Sequence, residues 1–274
     1  MRKIALITML LLIGMVELSA ARQAYKVQLK MTDVKDSLVY LAHYYGKGRP
    51  TIFITDSAKL DHNGNVTFTS TDSTFCGGIY IILIGDKERT NFEFLLNRGD
   101  DIGITATKSK LPDGVKFRNS PENERFQGYV DYLKGFSAEQ DKLKEEIKKA
   151  KTASDTDVIR KKSVASSKKL TEYRREYAKS HPGTLLSAVF NAMETPEIPE
   201  GVHYLEDGKT KDSTYAYRYY KAHYWDGFNL KDDRLIHTPL LEMKLEEYFN
   251  KILIQQEDTV CSKILVFVDT KSKN

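Results

Sequence analysis

From Tyr25 onward, apolar and polar residues alternate with a period of two. In YKVQLKM, Val27, Leu29 and Met31 fall on one face, the pattern of a strand buried on one side. SLVYLAH, TIFIT, NVTFTS, GIYIILIG, NFEFLLN, DIGITAT and VKFR follow, each bounded by Gly, Asp, Asn, Ser or Pro. The runs recur about every 8 to 14 residues, the rhythm of a sandwich or open barrel. LVYLAHYY and TIFIT flank Gly46-Lys47-Gly48-Arg49-Pro50, and a third run follows Asp61-His62-Asn63-Gly64. This is the grammar of adjacent antiparallel strands, with a hairpin turn at Asn63-Gly64.

The period changes at Asn119-Ser120-Pro121-Glu122. Ser120 as N-cap, Pro121 at the first helical position and Glu122 in the first turn start a helix. Phe126, Val130, Leu133, Gln140, Leu143, Ile147 and Ala150 then follow helical spacings. After TASDTD a more polar helix is expected from about Thr156 to Lys179, with Val158, Ala165, Leu170, Tyr173 and Tyr177 inward. Together the two form an antiparallel hairpin. TLLSAVFNAM and TYAYRYYKAHYW are further helices. Another starts at Thr238-Pro239 with Leu241, Leu245, Tyr248 and Ile252 inward, and Asp258-Thr259 opens a last one in which Val260, Ile264 and Val268 can pack. The pattern predicts an α+β protein: an antiparallel β-sandwich-like domain over residues 22–118, then an all-helical domain over residues 119–274.

Residues 1–21 obey a different rule. Met1-Arg2-Lys3 is basic, residues 4–16 are an apolar run, and Ser19-Ala20-Ala21 places small residues at the −3 and −1 positions of a cleavage site. This is the pattern of a secretory signal peptide cut before Arg22. The run ends at Glu17, short of the roughly 20 residues that span a bilayer. No Cys follows it to carry a lipid. An exported protein is expected, periplasmic or in the cell envelope, with no stable membrane span after cleavage.

Charge adds little. The 42 Lys and Arg nearly balance 38 Asp and Glu. The Lys-rich segments 142–151 and 160–169 are interleaved with acidic and small polar residues, as on solvated helix faces, so no nucleic-acid partner is expected. Cys76 and Cys261 are the only cysteines; there is no C-x-x-C, and two buried free thiols are favoured over a bridge.

Other candidate chemistry is thin. Asp61-x-Asn63-x-Asn65 with Asp72 imitates a calcium loop, but Val66 stands where such a loop needs Gly. Gly46-Lys47-Gly48-Arg49 lacks the spacing of a phosphate-binding loop. The six histidines show no metal-binding spacing, no Cys has a partner His at a telling distance, and no G-x-S-x-G occurs, so neither a cofactor nor a metal is implied. The densest unusual composition is the aromatic stretch from Tyr204 to Phe228. Tyr217, Tyr220, Tyr224, Trp225, His223 and Asp226 are its candidate binding residues, lining a groove for a peptide or sugar. The competing reading, which the density favours, is packing between helices, with His223 and Asp226 as a hydrogen-bonded pair fixing a helix end.

VYLAHYYGK, TIFITDSAKLDHNGNVTF, GGIYIILI, FEFLLNRGD and VKFRNSPENERFQGYVDYL resemble the N-terminal β domain of unknown function that precedes thioredoxin-like domains in exported proteins of certain Gram-negative bacteria. SHPGTLLSAV and YYKAHYWDGFNLKDDRLIHTPLLEMKLEEYF resemble the helical region that follows it. The resemblance implies kinship with AhpC/TSA-like thiol–disulfide oxidoreductases, whose C-x-x-C domain has no counterpart within these 274 residues. The expectation is therefore a non-catalytic recognition or scaffold module for a protein or peptide partner in the cell envelope. A truncated oxidoreductase whose thioredoxin-like part is missing or separately encoded, and a glycan-binding module, are the alternatives.

Overall fold

A computed structural model describes residues 23–46, 51–85 and 90–272. The expected signal peptide and the loop residues 47–50 lie outside the described residues. The architecture is α+β, as the pattern predicts. Eight strands come first: β1 (Tyr25–Met31), β2 (Leu38–Tyr44), β3 (Ile52–Lys59), β4 (Asn65–Ser70), β5 (Gly78–Ile84), β6 (Thr90–Leu96), β7 (Asp100–Ala106) and β8 (Lys116–Arg118). They form two four-stranded sheets, ordered β4-β1-β7-β8 and β3-β2-β5-β6. All pairings are antiparallel except β1 with β7, which run parallel, so the first sheet is mixed.

The turn at Asp61–Gly64 forms, closed by Gly64 N–H donating to Asp61 O at 2.9 Å and Asp61 N–H to Asn65 O at 2.9 Å. It is not the tip of a hairpin, however. β3 pairs with β2 and β4 with β1, so the turn carries the chain from one sheet to the other. Buried Leu60 marks that crossing. A turn signal fixes a local reversal, but the partners of the flanking strands depend on the whole topology.

The two sheets bury their facing sides in one core that includes Val27, Leu29, Met31, Phe68, Leu41, Ile82, Phe94 and Ile104. Helices α1 (Pro121–Lys149), α2 (Ala153–Ser180) and α3 (Leu185–Ala192) belong to a second core on the other side of the second sheet. Ile79 and Leu95 enter it from β5 and β6, meeting Phe126, Tyr129, Leu170 and Phe190. GIYIILI is an unbroken apolar run because β5 is covered on both faces. Asn123 of α1 closes the edge of β6: its Oδ1 accepts from Leu95 N–H at 2.7 Å and its Nδ2 donates to Leu95 O at 2.8 Å. One buried amide thus takes the place of a neighbouring strand.

The remaining elements are α4 (Tyr215–His223), a 3₁₀ turn (Asp233–His237), α5 (Leu240–Glu247), a π turn (Tyr248–Ile252) and α6 (Glu257–Ser272). Four expected inward positions face solvent instead: Val158 and Ala165 on α2, and Ile264 and Val268 on α6. Among the described residues no third layer covers the outer end of the α1–α2 hairpin, and Phe267 of α6 packs against Trp225 and Phe249.

Candidate functional site

The most concentrated chemistry lies where the helical region meets the second sheet. Gly77 and Gly78 lead into β5, both at positive φ. A Cβ on Gly78 would collide with His237 Cβ and come within 2.8 Å of its carbonyl oxygen. The 3₁₀ turn can seat on β5 only because residue 78 has no side chain. His237 Nδ1 then lies 3.0 Å from Gly77 O and 3.5 Å from Cys76 Sγ. A carbonyl only accepts, so this nitrogen carries the proton. His43 of β2 likewise donates from Nδ1 to Tyr44 O at 2.9 Å, and its ring centroid is 3.9 Å from that of His237.

Burial lowers the pKa of both histidines, and for His237 the neighbouring His43 lowers it further. Burial also raises the Cys76 thiol, which Asp233 and Asp232 push the same way and Arg98 opposes. The node is therefore a neutral thiol beside two neutral imidazoles, not the thiolate–imidazolium pair of an activated nucleophile. Sequence spacing missed it because Cys76 and His237 are 161 residues apart. Both cysteines are free. They are not both buried: Cys76 is half-buried in the loop before β5, and Cys261 is exposed on α6.

In front of this node lies an apolar surface. The ring of His43 sits 6.2 Å from Phe53 and 6.4 Å from Tyr45, which are 6.0 Å from each other. Phe53 belongs to β3, the outermost strand of the second sheet. Ile52, Phe53 and Ile54 are 40, 57 and 54% exposed, and Tyr45 is 53% exposed. Beside them, Tyr45, Ile236, Leu241, Leu245 and Phe249 line an open cavity of ≈ 590 Å³. Glu242 and Glu246 stand on its wall. A free strand edge next to an apolar cleft can take an extended peptide as an added strand, with alternate side chains directed into the cleft.

The structure gathers the aromatic candidates of the sequence elsewhere, around α4. Tyr224 is buried; its hydroxyl donates to Glu247 Oε2 at 2.7 Å, and burial with that carboxylate raises its pKa. Trp225 packs edge-on against Tyr224 and Phe228, and its buried Nε1 has no hydrogen-bond partner among the described residues. Tyr220 is half-buried against Tyr224. Tyr217 donates to Ile252 O at 2.8 Å and carries Lys221 over its ring. His223 Nδ1 lies 2.7 Å from Asp226 Oδ2, the pair expected at the helix end. Spacing alone did not reveal Lys244, a buried lysine whose Nζ donates to Glu194 O and Tyr224 O, each at 3.2 Å. Burial lowers its pKa. Its hydrogen bonds tie three segments together, and the aromatic rings around it are engaged with one another.

Among the described residues, no group of three or more His, Cys, Asp or Glu is arranged to hold a metal ion. No described helix is long and apolar enough to cross a membrane.

Residues 160–274 are similar to a family described as a domain of unknown function (DUF5106). The match begins within α2 and covers the helical elements that contribute His237, Lys244 and the cleft wall, but not the strands. No curated protein matches the chain.

Proposed function

We propose that this chain is an exported, non-catalytic recognition module that binds an extended apolar segment of a partner protein along β3 and the adjoining cleft. The observation that carries the proposal is β3 itself, an apolar run that the fold leaves exposed on a free edge. An exposed hydrophobic edge strand invites aggregation unless something occupies it. Export is supported by the basic, apolar and small-residue succession of residues 1–21. The role proposed is that of an accessory region to thiol–disulfide oxidoreductases, holding a partner while a separate dithiol site performs exchange. Its support is the sequence resemblance together with two solitary thiols in unlike surroundings.

The test uses peptides selected from a random display library and measured by fluorescence polarisation on the mature chain. Extended apolar peptides should bind, and Phe53→Asp should weaken them about tenfold or more. Equal affinity for the wild type and Phe53→Asp would refute the proposal.

A further inference from the structure

The outer face of the first sheet is built differently from the rest of the surface. Register places Thr67, Gln28, Gly103 and Arg118 in one row across β4, β1, β7 and β8. The next row holds Asn65, Lys30, Thr105 and Lys116. Residues two apart share a face, so both rows point to solvent, away from the core residues Leu29 and Ile104.

Gly103 leaves a gap in the first row, and the Arg118 side chain lies across it. A Cβ at position 103 would come within 3.0 Å of Arg118 Nε and 3.3 Å of Nη2. Nη2 donates to Gln28 Oε1 at 3.1 Å, so the guanidinium spans from β8 over β7 to β1. An exposed arginine ordinarily samples many rotamers; this one is laid flat and pinned, and among the described residues its remaining N–H groups have no partner. Lys30 and Lys116 have no ion-pair partner among the described residues. They flank Thr105 from the two neighbouring strands, roughly 10 Å apart. The hollow measures ≈ 370 Å³; Lys30 and Arg118 are its lining cations, Lys116 stands beside it in the row of Thr105, and none of its lining residues is a carboxylate.

The geometry points to a binding site for an anionic oligosaccharide, read by Arg118, Lys30 and Lys116 through its carboxylate or sulfate groups and by Gln28, Thr67 and Thr105 through its hydroxyls. Charge selects an anion. The main-chain groups of β1 and β7, at the centre of the sheet under the hollow, are spent in the ladders, so a peptide laid across this face finds no backbone pairing with them. No aromatic ring lines the hollow, so neither a nucleobase nor a neutral sugar has a stacking platform. A hydroxyl-rich polyanion answers all three conditions. This site is separate from the peptide edge and belongs to the opposite sheet.

The experiment is calorimetric titration of the mature chain with a heparin hexasaccharide, hexagalacturonate, neutral maltohexaose and hexaglutamate. At least one of the two anionic sugars should bind, with affinity falling as salt rises, and the pair tells sulfate from carboxylate recognition. Arg118→Gln and Gly103→Val should each weaken binding about tenfold or more, while Lys161→Gln on α2 leaves it unchanged. Circular dichroism and melting confirm that each variant is folded, and peptide binding at β3 should persist in all of them. Failure of both anionic sugars to bind, equal binding of hexaglutamate or maltohexaose, or unaltered affinity in Arg118→Gln would each overturn the assignment.

Discussion

The two sheets share one core and differ in what covers their backs. The first sheet turns a polar outer face to water, and β1 shows it as strict alternation of buried and less buried residues. The second has α1 to α3 against the outer sides of β5 and β6, while its far strand, β3, is left bare. Its two edges contrast as sharply: Asn123 occupies the edge at β6, and among the described residues no strand lies beyond β3. Covered faces hold the molecule together, and uncovered ones are free to bind.

Glycine substitutions probe this contrast most strongly. Gly78→Val on the covered sheet would drive a side chain into the His237 backbone at a φ of 142° and should cost about 3 kcal/mol or more, read as a large fall in melting temperature. Gly103→Val on the open sheet has the exposed Arg118 side chain as its nearest neighbour and should stay within about 0.5 kcal/mol of the parent. Comparable losses from the two would mean that both outer faces are structural. Next in size is Asn123→Ala, which strips Leu95 of two buried hydrogen bonds. A loss of about 2 kcal/mol is expected in urea melts.

Acid should separate the regions too. His43 and His237 are harder to protonate in the fold than in the unfolded chain, where the pKa is about 6.5. The unfolded state therefore takes up more protons as the pH falls through that value. The stability these neutral rings contribute is complete above about pH 6.5 and is lost below it. His43→Gln should flatten this part of the pH–stability curve. The smallest effect belongs to β3, where Ile54→Thr should change stability by about 0.5 kcal/mol or less, because the side chain already faces water.

Much of the fold was legible in the chain. Alternation in YKVQLKM announces one covered face, and the unbroken GIYIILI is the mark of two, although run length alone does not name the covering layer. TIFIT carries the same apolar signature as a buried strand and is exposed, because burial depends on which strand becomes the edge. That in turn depends on the Asp61–Gly64 turn crossing between sheets. The node of Cys76, His43 and His237 draws on three distant segments, and Gly103 meets Arg118 only through the β7–β8 register. The aromatic stretch from Tyr204 to Phe228 was visible by composition, and its rings pack largely on each other and on the second core.

The most direct test is residue-resolved hydrogen exchange on a chain of residues 22–274 with and without a selected apolar peptide. New protection should concentrate at residues 52–55 of β3 and at the cleft wall around Leu241 and Leu245, with α4 unchanged. Protection centred on Tyr217, Tyr220 and His223, with β3 exchanging as before, would contradict binding along β3.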